Sequence, residues 1–160
     1  MSDTLDLHFE RSIDISREKV WRAWTEPALL KQWFTPAPWR TVEAEVDLRA
    51  GGIFRTVMLS PEGQRFPNLG CYPEVIPHEK LVWTNAIGPG FRPLKPGDAE
   101  AGGCVPFVFT GIISLTAHGG GTLYKAQVLH ADEAACKQHA AMGFQEGWGK
   151  ALDQLVALMR

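Results

Sequence analysis

Three side chains near the C-terminal end of the sequence, His130, Cys136 and His139, have the types that hold metals or move protons. Cys136 and His139 are three apart and can share one helix face, with His130 just upstream. Metal ligation needs several such groups to converge at about 2.0–2.3 Å. No third and fourth ligand pattern such as Cys-x-x-Cys accompanies them, so the expectation is no metal site and no cofactor. At the end of a predicted strand, His130 reads as a polar handle at a cavity mouth. As a general base it would need a reacting group and a partner, and the sequence shows neither. Tyr72 and Tyr124 are the other polar candidates, because a buried hydroxyl must find a partner in protein, water or ligand. There is no Gly-x-Ser-x-Gly motif. Gly88-Pro89-Gly90 is followed by no Lys-Ser/Thr and no helix start, and Gly119-Gly120-Gly121 fails the same test, so no nucleotide site is expected. No residue is assigned a catalytic role, and enzyme status is left open.

The stronger chemical signal is aromatic. Six tryptophans and eight phenylalanines supply large apolar area, for a core or for the lining of a pocket. Trp33, Phe54, Met58 and Tyr72 fall on faces that can point inward. So do Trp83, Phe109 and Tyr124. Phe144 and Trp148 face them from the terminal helix, and His130 and Met142 sit nearer the mouth. A filled core would use the same residues.

The elements that must position these side chains follow from periodicity. Leu5 to Ile15 alternates as a half-buried strand, with Arg11 as the exception on its apolar side. Ser16 can cap a helix over Arg17–Trp24, with Glu18 in its first turn. Thr25 can cap a second short helix that starts at Pro27, buries Leu29, Leu30 and Trp33, and is stopped by Pro36 and Pro38. Strands are predicted from Thr41 to Leu48, with Val42 and Ala44 opposite Thr41 and Glu43. Further strands follow over Ile53–Leu59, around Asn68–Val75 and over Leu81–Asn85. A last hairpin, Phe107–Thr116 with Thr122–Leu129, closes the series. Between them, residues 86–106 hold five glycines and four prolines without a period. A loop that long is usually functional or disordered, and a lid over a cavity mouth is one reading.

The terminal stretch carries the clearest stripe: Phe144, Trp148, Ala151, Leu152, Leu155, Val156 and Met159 mark one face of a helix. Gly143, Gly147 and Gly149 each cost about 1 kcal/mol relative to alanine inside a helix. A break near Gly143 is therefore predicted, or a close approach of backbone to sheet. The earlier segment carries His139 and Met142, and the later one clamps the sheet.

The whole, residues 1–160, reads as a single domain. An apolar fraction of 45% and a charged fraction of 21% fit a globular protein with a sizeable core. A net charge of -2 argues against nonspecific nucleic-acid binding. No run approaches the length of a membrane helix, and the first ten residues carry Asp3, Asp6 and Glu10 where a leader would be basic and then apolar. Cys71, Cys104 and Cys136 are odd in number and widely spaced, the usage of reduced thiols. The expected setting is the cytoplasm, with no nucleic-acid and no membrane partner.

The order of strand, two short helices, antiparallel strands and long terminal helix is the helix-grip order. Val20-Trp21-Arg22-Ala23-Trp24-Thr25-Glu26-Pro27 followed by Gln32-Trp33 resembles the opening signature of the START/birch-pollen-allergen-like (SRPBCC) superfamily. Four further stretches match: Asp47 to Phe54, Gly70 to Val75 with Pro77, Lys80 to Thr84, and Gly121-Thr122. Gly147-Trp148 with Leu152 and Leu155 closes the pattern. The branch it is most similar to is the C-terminal domain of the heat-shock protein 90 ATPase activator. The resemblance implies an α+β helix-grip fold, a curved antiparallel sheet with two short helices and a long C-terminal helix packed across it. It implies a cavity between sheet and terminal helix that holds a small hydrophobic ligand. The same superfamily hosts polyketide cyclase-like or hydrolase-like enzymes, for which Tyr72, Tyr124 and His130 are the candidates, and co-chaperone-like or regulatory interaction domains. The activator's separate N-terminal domain has no counterpart in these 160 residues, which weighs against a chaperone partner. A homodimer is left open, since no seam for one is legible.

Overall fold

The computed structural model describes residues 5–95 and 107–160. The chain runs β1 (Asp6–Ile13), α1 (Arg17–Thr25), α2 (Pro27–Trp33), β2 (Arg40–Val46), β3 (Ile53–Leu59), β4 (Arg65–Ile76) and β5 (Lys80–Thr84). Two short strands, β6 (Ile87–Gly88) and β7 (Arg92–Pro93), flank a single 3-10 turn. Then come β8 (Phe109–His118), β9 (Gly121–His130), α3 (Glu133–Ala141) and α4 (Phe144–Met159). Seven strands form one antiparallel sheet in the order β1-β9-β8-β5-β4-β3-β2. This is the α+β helix-grip architecture expected from the order of elements. Among the described residues no helix is long and apolar enough to cross a membrane.

Local chemistry accounts for the boundaries. The Ser16 hydroxyl accepts from the Lys19 N–H and starts α1. Thr25, expected to cap α2, instead donates its hydroxyl to the Trp21 carbonyl in the turn before it. Glu26 holds the cap position without a side-chain capping bond, its carboxylate accepting from Arg22 instead, and Pro27 sets the first turn. In β2 a bulge between Thr41 and Glu43 turns Thr41 inward, so its hydroxyl meets that of Thr35 in the interior. Strand β4 begins at Arg65, three residues before the expected Asn68, and pairs with β3 straight through Pro67.

The sheet's concave face and the helices enclose the core. Phe9 and Ile13 of β1, Val20 and Trp24 of α1, Leu30 of α2 and Leu152 and Leu155 of α4 belong to one buried cluster. Gly111 of β8 lies opposite Trp83 of β5. A Cβ at Gly111 would stand 2.6 Å from the Trp83 ring, so the absence of a side chain is what seats that indole on the sheet.

The terminal stretch is two helices, as its glycines predict. Asp132 caps α3 through the Ala135 N–H. Gly143 has φ +86°, a left-handed conformation that ends α3 and begins α4. Gly149 answers to the other half of the expectation: a Cβ there would meet Arg11 Nη2 at 3.0 Å and the Phe9 ring at 3.6 Å. Arg11 therefore lies between β1 and α4, paired with Asp153 at 2.5 Å. On the opposite wall, Gln154 bonds the Trp33 and Thr35 carbonyls and the Ala37 N–H, each at 2.9 Å. Lys150 adds a bond to the Ala37 carbonyl at 2.7 Å.

Of the long segment expected over residues 86–106, the first part folds onto the β2–β3 turn. Gly90 N–H donates to the Gly51 carbonyl at 2.8 Å, and the Phe91 ring covers Gly51. Residues 96–106, which include most of the suggested lid and Cys104, lie outside the described residues.

Candidate functional site

Sheet and α4 do not close on each other along their whole length. Between β3, β4, β5 and β8 on one side and α2, its following segment and α4 on the other lies a partly open cavity of about 600 Å³. Of the eleven residues assigned to a cavity from the sequence, nine stand on its wall. These are Trp33, Phe54, Met58, Trp83, Phe109, Tyr124, Met142, Phe144 and Trp148. The rings pack against one another: Trp24 lies 5.0 Å from Trp33 and 5.1 Å from Trp83, and Phe144 lies 4.9 Å from Trp148. Trp83 of the sheet and Trp148 of α4 stack at 6.2 Å with planes 14° apart, bridging the two layers. Several polar groups of the wall are already engaged. The Trp33 indole donates to the Ala23 carbonyl at 2.8 Å, and the Trp24 indole to the Tyr124 hydroxyl at 3.2 Å. Thr84 and Asn85 are tied to the backbone around Phe109.

Tyr72 and His130 do not reach the cavity. Tyr72 is fully buried and stacks behind Phe54 at 5.3 Å. A β-bulge between Cys71 and Glu74 lies in this part of β4. Its hydroxyl makes no hydrogen bond among the described residues, and burial pushes its pKa up. His130 faces inward from β9 as expected, but the His139 ring stands against it. His130 Nδ1 meets the Leu5 carbonyl at 2.8 Å and its Nε2 meets His139 Nδ1 at 2.9 Å. Burial, together with the neighbouring His130, lowers the His139 pKa to about 4. Cys136 is buried on the same helix and is a free thiol. It takes no part in this pair. Among the described residues no group of three or more His, Cys, Asp or Glu converges as metal ligands do. Tyr124 does line the cavity. Burial raises its pKa, so the hydroxyl stays protonated and keeps its own hydrogen to give.

The wall also holds residues not assigned to it from sequence. Trp24 and Phe34 come from α1 and the end of α2, Thr35 from the segment after it, and Asn68 and Leu69 from β4. Thr56 shares a strand face with Phe54 and Met58, so alternation alone could have placed it. Asn68 is its cross-strand partner, and register is not legible in one sequence. His139 was recognisable as a titratable residue near the mouth, but its partner lies nine residues upstream on a strand, not on its own helix. No Asp, Glu, Lys or Arg stands among the described residues that line the cavity.

A concave sheet holding a long terminal helix over an aromatic cavity defines the helix-grip class. The chain belongs to the Activator of Hsp90 ATPase homolog 1-like family, whose model matches residues 14–160. The superfamily resemblance carried by the Val20–Pro27 signature holds over residues 14–160. A solved structure of a protein from Nitrosomonas europaea is 42% identical with a TM-score of 0.90, covering 99% of this chain and 96% of that one. A Rhodobacter sphaeroides protein shares the fold at 22% identity and a TM-score of 0.82, over 99% and 94% of the two chains. A Mycobacterium smegmatis protein does so at 23% and 0.77, over 100% and 93%. No protein with a curated description matches the sequence.

Proposed function

We propose that the protein binds a small, uncharged, mainly apolar molecule in the cavity between the sheet and α4. The observation that carries this is a cavity of about 600 Å³ walled by indole and phenyl rings with no charged side chain among the described lining residues. That volume is within the usual range for small-molecule sites. Aromatic walls favour flat or ring-bearing guests, and burying a charge there without a partner would be strongly unfavourable. An enzyme using the same cavity has less support: Tyr72 and His130, two of its three candidate groups, are cut off from the space. A chaperone partner or a homodimer is favoured by no feature of the described residues. A cytoplasmic setting belongs to the same proposal, with Cys71 and Cys136 as free thiols.

Intrinsic fluorescence tests the reading, because Trp24, Trp33, Trp83 and Trp148 all line the space. Titration with a panel of neutral aromatics, isoprenoids and fatty alcohols is expected to give a saturable change at one-to-one stoichiometry for at least one class. The corresponding carboxylates are expected to bind more weakly. The absence of a saturable change across the whole panel would overturn the proposal.

A further inference from the structure

We infer that His139 selects the guest: the cavity takes a neutral aromatic molecule carrying a hydroxyl or N–H donor, and that donor bonds His139 Nε2. The inference rests on the cavity being a binding site, as proposed above. It starts from a chain of hydrogen bonds with one direction. The Leu5 carbonyl can only accept, so His130 Nδ1 carries the hydrogen of their 2.8 Å bond. With both rings neutral, His130 Nε2 is then a lone pair, and His139 Nδ1–H donates to it at 2.9 Å. This fixes the tautomer of His139 and leaves its Nε2 as an acceptor.

His139 Nε2 makes no hydrogen bond among the described residues, and the one side-chain polar atom there that is both enclosed and unpartnered is Tyr72 Oη. The ring itself lines the cavity, and Nε2 is the nitrogen that its bond to His130 leaves over. The ring cannot swing to find another partner. It is packed edge or tilt against Phe107, Phe109 and Phe144 at 5.1, 5.4 and 5.5 Å, and its Nδ1 is tethered to the sheet. An acceptor held in place before the guest arrives loses little entropy on binding.

The chemistry of the guest follows. A lone pair repels a carboxylate, and no cation on the described wall offsets that repulsion. An ammonium could donate, but it would be desolvated with no anion near. A phenol, an enol or a neutral N–H on a ring matches both the acceptor and the aromatic walls.

Equilibrium dialysis of the full chain with 2-naphthol and with 2-methoxynaphthalene tests this. The two probes share a ring system and an oxygen, and only the first can donate. On the unmodified chain 2-naphthol is expected to bind about tenfold more tightly, the effect of one hydrogen bond in an apolar site. His139→Phe is expected to remove that advantage while 2-methoxynaphthalene still binds. His139→Gln, which can offer both a donor to His130 and an acceptor to the guest, is expected to recover part of it. Equal affinity of the two probes on the unmodified chain would overturn the inference, as would an advantage that survives in both variants. If His139→Phe does not fold, the probe pair on the unmodified chain and the His139→Gln variant decide. Failure of both probes together with the wider fluorescence panel would overturn the binding reading itself. Binding of both probes without discrimination overturns the role of His139 alone.

Discussion

The two halves of α4 present one continuous apolar stripe to the same sheet and meet opposite fates. In the C-terminal half, Leu152 and Leu155 are 1% and 0% exposed and merge with Ile13, Val20 and Leu30 into a closed core. In the N-terminal half, Phe144 and Ala151 belong to the same cluster, yet with Trp148 they also line the cavity of about 600 Å³. Helical periodicity says which face of a rod turns inward. It does not say how far away the opposing surface stands, and that distance separates a closed core from a cavity.

The difference can be broken at its closed end first. Leu155→Ala is expected to cost about 3–4 kcal/mol, since a fully buried leucine leaves a void that its neighbours cannot fill. Urea denaturation measures this. A loss below about 1 kcal/mol would mean that the closed end is not a close-packed core.

Acid gives the next largest effect. The His139 pKa is held near 4, against an ordinary value of 6.5. Between those two pH values the unfolded chain binds more protons at this site than the folded one. Acidification through that window therefore favours unfolding, and the stability contributed by a neutral His139 is complete above pH 6.5. The loss from this group approaches about 3 kcal/mol by pH 4. Denaturation midpoints across the window, in the unmodified chain and in His139→Gln, isolate it. The variant is expected to show a flatter dependence, and an equally steep one would assign the loss elsewhere.

At the open end the same kind of truncation reads differently. Trp148→Ala is expected to cost about 1–2 kcal/mol of stability, less than a closed-core indole, because part of its surface already faces the cavity. Neutral aromatic probes are expected to lose about tenfold in affinity with it, the order of one aromatic contact. If stability fell as steeply as for Leu155→Ala while affinity held, the open end would be packing and not a site. The smallest effect belongs to the joint. Gly143→Ala finds open space for its Cβ but a left-handed backbone, so a loss of about 1–2 kcal/mol is expected without a packing clash. Thermal denaturation registers it, and an unchanged Tm would show that the α3–α4 joint relaxes to another conformation.

Much of this molecule is legible in its residues. Period-two and period-3.6 patterns place most of the elements, Ser16 marks the start of α1, and the glycines around Trp148 announce the break at Gly143. What is not legible depends on register and on what lies across a gap. Thr41 turns inward only because a bulge shifts β2. Asn68 reaches the wall because it pairs with Thr56, which no spacing reveals. Pro67 lies ahead of the strand expected around Asn68–Val75 yet is paired within it. Tyr72 and Phe54 both face inward, but one stacks behind the other, so the first belongs to the interior and the second to the wall. His130 likewise faces inward and is screened by His139, a residue whose helix, strand partner and tautomer are tertiary facts.

Gly111 carries a consequence of a different sort. It is not among the residues that line the cavity, yet its bare backbone is what lets the Trp83 ring lie down. Ordinary contact between carbon atoms is about 3.5–4.0 Å. A Cβ at 111 would displace the indole by roughly 1 Å, and that indole is part of the cavity wall. The shape of the cavity thus depends on a position outside its lining. Substitutions confined to the lining residues would pass over that control.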